Sequence, residues 1–246
     1  MTVAYDGTPF HGFATNPDVR TVQDDLEEAL AMVLRQPTPI ACAGRTDRGV
    51  HARGQVVSFD AAADHFEPGA LTRALNRMLA PSVAVRGVAI APDDFDARFS
   101  CVARSYRYRI LNTVTPDPLV HHLVWHVREP LDVDAMQLAS DRILGQHDFT
   151  TFSKKNKSKV GETFVRTVQH AQWGRTGSNV QLDIRANAFT HQMVRSLVGM
   201  FVEIGRGRRR AVEMGEALQA LDRSAAPSPA PPQGLVLVKA HYHGDT

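Results

Sequence analysis

The sequence predicts an α+β protein built as two similar halves. Three observations carry that expectation. Short alternating apolar runs are interleaved with stretches of helical period. The second half of the chain repeats this mixture without any fixed short repeat. A length of 246 residues suits one or two domains. The order of elements places the division near residues 100 to 115, and we assign 1–104 to an N-terminal half and 105–246 to a C-terminal half.

Each element has its own signal. Thr2 to Tyr5 alternates as a short strand. Thr21 suits a helix N-cap, with Asp24 three residues on approximating a capping box. Val22, Leu26, Ala29, Leu30, Val33 and Leu34 follow at helical spacing, and Pro37 and Pro39 end the run. Ile40 to Cys42 and Gln55 to Phe59 read as strands around a polar, glycine-punctuated loop. Pro68 to Leu79 is a second helix striped by Leu71, Leu75 and Leu79, and Ser82 to Ala91 is a strand with a bulge expected at Gly87. Ser105 to Leu111 and Val124 to Val127 are strands. Asp132 to Leu144 is a helix closed by Gly145. Phe164 to Trp173 and Asn179 to Ala186 form a hairpin around Gly174 to Ser178. Met193, Leu197, Val198, Phe201 and Ile204 mark an apolar helix that Gly205 and Gly207 terminate, and Ala211 to Leu221 is another helix. Ser224 to Pro232 reads as a Pro/Ala/Ser linker outside the core, before a last strand at Leu235 to Val238.

Hydrophobic residues make up 43% of the chain, enough for a sizeable core. The formal net charge is only +2, although the pI is 8.7. So small a charge does not by itself indicate nucleic acid. The clusters at Arg104, Arg107 and Arg109, at Lys154, Lys155, Lys157 and Lys159, and at Arg206, Arg208, Arg209 and Arg210 are better footprints for phosphates, set against ordinary solvated surfaces. Two cysteines, Cys42 and Cys101, lie in apolar strand-like segments and read as buried thiols. No apolar run is long enough to span a bilayer, and nothing resembles a signal peptide; a cytoplasmic protein is the expectation. His122 and His126 lie in a strand-like segment, where they do not converge, and His241 and His243 have no third ligand, so no metal is expected. Phosphate-loop and dinucleotide fingerprints are both missing from the sequence.

The loop Ala43-Gly44-Arg45-Thr46-Asp47-Arg48-Gly49-Val50-His51-Ala52 is the densest chemical signal. One carboxylate, Asp47, stands among Arg45, Arg48 and Arg53. Neighbouring cations favour an ionised carboxylate, and a held carboxylate can serve as a nucleophile. A bare Gly-Arg-Thr-Asp would more simply be a solvated turn.

The full string resembles the catalytic signature of the tRNA pseudouridine synthase A family, Gly-Arg-Thr-Asp-x-Gly-Val-His-Ala. Further ordered matches spread along the chain: Val3 to Thr8 with Phe10 to Phe13; Thr21-Val22-Gln23; Asp94 to Ser100 followed by Ala103 to Tyr108; Ala186 to Phe189 with His191 to Arg195; and Ala230 to Leu235. Gly12-Phe13-Ala14 and the lysine-rich 154–159 segment depart from the family pattern.

The resemblance implies a pseudouridine synthase fold. Its two halves carry mixed, mainly antiparallel sheets joined into one extended sheet, with helices packed on it and the catalytic cleft between the halves. It implies an isomerase, an intramolecular transferase that needs no cofactor. That enzyme converts uridine to pseudouridine at positions 38, 39 and 40 of the tRNA anticodon stem-loop and works as a homodimer. By the matched motifs, Asp47 is the catalytic nucleophile or base and Arg195 the basic residue paired with it. Tyr106 is the residue that stacks on the uracil, and Arg45 fills the gap left by a flipped base. Alternation alone puts Tyr106 and Tyr108 on one strand face and does not choose between them. Lys154, Lys155, Lys157 and Lys159 are candidate phosphate contacts. Two other readings compete: the same reaction on another RNA, and a noncatalytic RNA-binding or chaperone protein on this scaffold.

Overall fold

The computed structural model describes residues 1–61, 67–155 and 163–244. The chain divides into two compact units, Met1–Arg104 with Val236–Thr246, and Ser105–Leu235.

The first unit orders its strands β4-β1-β3-β10, from β1 (Thr2–Tyr5), β3 (His51–Ser58), β4 (Val83–Gly87) and β10 (Leu235–His241). A short β2 (Ala41–Cys42) pairs with the far end of β3. β1 runs antiparallel to both neighbours, with Val3 opposite Gln55 on one side and Val85 on the other. The β1–β4 register slips between Thr2 and Val3, so that Arg86 is passed over beside the expected bulge position Gly87. The strand also ends at Gly87, short of the expected Ala91.

Helix α1 (Val22–Leu34) starts where the sequence expects it. Thr21 is extended and its hydroxyl accepts the Asp24 amide at 3.2 Å. A cap of this kind is worth about 1 kcal/mol. Val22, Leu26, Ala29 and Leu30 are its buried face. Helix α2 (Pro68–Leu79) buries Leu71, Leu75 and Leu79, one residue per turn on one side, and packs on α1 and β4. Asn76 locks α2 to β4 by two 2.8 Å bonds, one to the Val85 amide and one to its carbonyl.

The second unit orders β5-β9-β8-β7, from β5 (Ala103–Asn112), β7 (Gly145–Asp148), β8 (Val165–Thr176) and β9 (Asn179–Ala186), with β6 (Trp125–Val127) parallel to β5. The β8–β9 hairpin pairs Thr176 with Asn179 across a two-residue turn, tighter than the expected Gly174 to Ser178 loop. Helix α3 (Val133–Ser140) is capped by Asp132 but gives way to a 3-10 turn at Asp141–Ile143, and Gly145 opens β7 instead of closing a helix. Helix α4 (Met193–Gly205) is apolar and buried over most of its surface. Helix α5 (Glu213–Ala220) ends at Leu221 in the left-handed region. α3 packs on α4 and β8.

Two expectations need correction. The sequence places the last strand in the half 105–246, yet Val236 and Leu237 pair in parallel with His51 and Ala52, and residues from Val236 onward belong to the first unit. Chain order does not reveal a strand that returns to pair far back in the sequence. The 224–232 segment is no linker. Ala226 and Ala230 are buried, and the segment is bonded to α4. Small and prolyl residues pack closely without looking apolar to a periodicity argument.

Among the described residues, no helix is long and apolar enough to cross a membrane.

Candidate active site

Asp47 lies in the first unit, between β2 and β3, half-buried. It is the first residue of a tight turn: the Val50 amide donates to the Asp47 carbonyl at 3.1 Å, and Gly49 has φ +76°. A positive φ at the third position of such a turn suits glycine and strains other residues. That is the physical content of the glycine in Thr-Asp-Arg-Gly-Val.

The loop is clamped from beneath. Buried Tyr5, from β1, shares a 2.8 Å hydrogen bond with the hydroxyl of buried Thr46. The Thr46 carbonyl accepts the Phe13 amide at 3.0 Å. Fully buried Gln55, from β3, spans the loop's entry: its amide nitrogen donates to the Gly44 carbonyl at 2.6 Å and its oxygen accepts the Gly44 amide at 3.3 Å. Burial holds the Tyr5 phenol far above its ordinary titration range, so it stays a neutral partner at physiological pH. Both residues flanking Asp47 are therefore placed: Thr46 is held down, while Arg48 is exposed in the turn. Arg45 is exposed too, as is Arg53 on β3.

Next to the loop, Cys42 is half-buried and its thiol is raised to about 11. Burial is the main cause, opposed by the positive charges of Arg45, Arg98 and Arg104. Cys101 is buried and also a free thiol.

Tyr106, Arg195, Lys154 and Lys155 belong to the second unit. Along β5, Tyr106, Tyr108 and Ile110 turn to the buried face, whereas Arg107 and Arg109 are half-buried on the other. The two tyrosines differ in their surroundings. Tyr108 is sealed: its hydroxyl donates to the Pro231 carbonyl at 2.7 Å, and burial pushes its phenol well up, partly offset by the charge of Arg195. Tyr106 keeps 8% of its surface and meets Phe189 edge-on at 5.1 Å. The Tyr108 hydroxyl is thus engaged in the packing of the second unit, and the two tyrosines of the motif are distinguished by their surroundings.

Arg195 is the third residue of α4 and is half-buried. Its Nε donates to the Ala230 carbonyl at 2.8 Å, and the Ala230 amide returns a bond of 2.9 Å to the Arg195 carbonyl. An arginine on an apolar helix can simply snorkel to solvent. This one is fixed along its shaft by a specific backbone partner.

Residues 1–100 and 139–243 match the family described as tRNA pseudouridine synthase. Over 242 residues the chain is 42% identical to tRNA pseudouridine synthase A of Klebsiella pneumoniae (strain 342), covering 98% of this chain and 88% of that protein. Identity is also 42% to the enzyme of Enterobacter sp. (strain 638) and 41% to that of Escherichia coli (strain SMS-3-5 / SECEC), with the same coverage. The chain belongs to the tRNA pseudouridine synthase family.

In this pseudouridine synthase the basic clusters resolve unevenly. Arg206 and Arg208 both pair with Glu129 and Glu203, and Arg210 pairs with Glu213. Arg209 donates to the Ala225 carbonyl. Arg107 grips Asp183 through two bonds of 2.7 and 3.1 Å. These arginines all have partners within the second unit. Lys154 and Lys155 are exposed, and Lys155 acts electrostatically on Asp222. Lys157 and Lys159 lie outside the described residues. No group of three or more metal-ligating side chains occurs among the described residues.

Sequence reasoning missed the Tyr5–Gln55 clamp and the Ala230 anchor. The signal for the first is a polar residue on the inward strand face, Gln55 two positions before Val57. The second is a backbone contact and has no side-chain signal.

Proposed function

We propose that this pseudouridine synthase isomerises uridine to pseudouridine at positions 38, 39 and 40 of the tRNA anticodon stem-loop, with Asp47 as the catalytic carboxylate. The observation that carries the reading is a chain-long family match in which the aspartate of the signature occupies a clamped, half-buried turn.

The reaction breaks the N1–C1′ glycosidic bond and joins C5 to C1′. The C5 proton is lost and N1 gains one, so the atoms of the nucleoside are conserved. No redox change occurs. Asp47 supplies a carboxylate at the ribose or the base, as nucleophile or as base. Tyr106 offers a ring for the uracil to stack on. Arg195 offers a fixed positive charge, and exposed Arg45 is available to stand in for the extruded base. Extrusion from a stem costs a few kcal/mol, which a cation inserted in the stack helps offset. In this reading two copies act together in the cytoplasm, and Lys154, Lys155, Lys157 and Lys159 contact phosphates.

The test uses unmodified tRNA carrying tritium at uridine C5. Tritium release, with pseudouridine mapped at positions 38 to 40, is the expected result. Binding without release makes the protein a noncatalytic RNA binder, and release from a different RNA moves the substrate.

A further inference from the structure

We propose that the turn at 96–100 is a base-stacking site for the RNA substrate, in which Phe99 offers its ring face to an unstacked nucleobase and Arg98 its charge to the adjoining phosphate. The inference deepens the reading of the protein as a tRNA-modifying enzyme and rests on it.

Phe99 is the one exposed Phe, Tyr or Trp ring among the described residues. The ring is 79% exposed, although burying such a ring is strongly favourable. It is exposed on a stiff support rather than a loose one. One oxygen of Asp96 accepts the amides of Arg98 (2.7 Å) and Phe99 (2.8 Å). Ser100 closes the turn twice, its amide donating to the Asp96 carbonyl at 2.9 Å and its hydroxyl accepting the Asp96 amide at 3.1 Å. Buried Ala97 is held from both sides, its amide on the Ser58 hydroxyl (3.0 Å) and its carbonyl under the Tyr242 hydroxyl (2.8 Å). A hinged loop can fold an apolar ring against its neighbours; this turn is tied in place with the ring outside.

The charge fits a nucleotide. The Arg98 guanidinium carbon sits 5.2 Å from the centroid of the Phe99 ring, so a cation covers one side of an aromatic platform. Arg104 joins the turn to the loop that carries Asp47: it donates to the Arg98 carbonyl at 3.0 Å and to the Ala43 carbonyl at 2.8 and 3.1 Å. Arg45 and Arg98 both act on Cys42, so the exposed cations of loop and turn share one neighbourhood. The Asp96 carboxylate is engaged by the turn amides, and exposed Asp93 and Asp94 precede the turn in the chain. Aromatic faces beside cations are the usual means of holding unstacked bases without reading their edges.

The experiment measures affinity for an unmodified tRNA transcript at several salt concentrations, with melting temperature as the folding check. Phe99→Ala should weaken binding about tenfold. Phe99→Trp should restore it, and Phe99→Leu, apolar but not aromatic, should not. Arg98→Gln should flatten the slope of log affinity against log salt by roughly one unit. Wild-type affinity in Phe99→Ala, or in Phe99→Leu, overturns the proposal, and so does an effect confined to the oligomeric state in sedimentation. Tritium release by the wild-type protein is read separately. Its absence removes the proposed activity without touching the binding result, and normal release with an indifferent Phe99 removes only this site.

Discussion

Asp47 sits where a short turn, a buried threonine and a tyrosine from β1 leave its backbone little freedom. Asp47→Asn keeps the side-chain size and the backbone bonds but removes the charge. Tritium release should fall by at least about a hundredfold, the lower end for a positioned acid or base, while tRNA affinity and melting temperature shift little. Appreciable turnover in a verified pure Asn variant removes Asp47 from the chemistry. Tyr106 is tested more finely, because its ring and its hydroxyl have separable jobs. Tyr106→Phe preserves the edge-on contact with Phe189. Lost turnover with retained binding assigns the hydroxyl a proton-transfer role; an unchanged rate confines Tyr106 to stacking. Tyr108→Phe is the contrast. It strips the bond to the Pro231 carbonyl and should act through stability, by about 1 kcal/mol.

At the scale of elements, the contact between α4 and the 226–231 strap governs Arg195. Gly199 lies where the strap crosses the helix, and a Cβ there would come within 2.4 Å of the Ser228 carbonyl oxygen. Gly199→Val must therefore push the strap away. The expected cost is about 1–3 kcal/mol, as for overpacking generally, seen as a lower urea midpoint. Because Ala230 is the partner of the Arg195 side chain, turnover of the folded variant should fall as well. Full activity per folded molecule would show that the anchor does not matter for Arg195.

At the scale of the whole molecule, the modest net charge of +2 conceals a partition. The arginines at 206, 208 and 210 are matched by carboxylates inside the second unit. Exposed Lys154 and Lys155 remain available to a polyanion. Replacing Lys154, Lys155, Lys157 and Lys159 together with Ser should flatten the salt dependence of tRNA binding, each true phosphate contact contributing roughly 0.7 to 0.9 of a unit. Many tRNAs should be affected alike, since phosphate contacts carry no sequence information. Unchanged affinity and slope would make the segment an ordinary solvated loop.

The sequence by itself determined the local elements and the family motif. Caps, helical stripes and strand alternation act over a few residues, so Thr21, the Leu71–Leu75–Leu79 stripe and Gly49 are legible in one dimension. Where neighbouring residues compete, as at Asp141 to Gly145, the local signal misjudges the helix end. Tertiary structure alone decided the long-range matters. Pairing of β10 with β3 joins residues more than 180 positions apart, and no local pattern encodes which strand an apolar run will meet. Tyr106 was separated from Tyr108 by their surroundings, since alternation gives both the same face. Gln55, Ala230 and the turn that exposes Phe99 acquire meaning only from partners brought together by the fold, because a hydrogen bond depends on distance in space and is indifferent to distance along the chain.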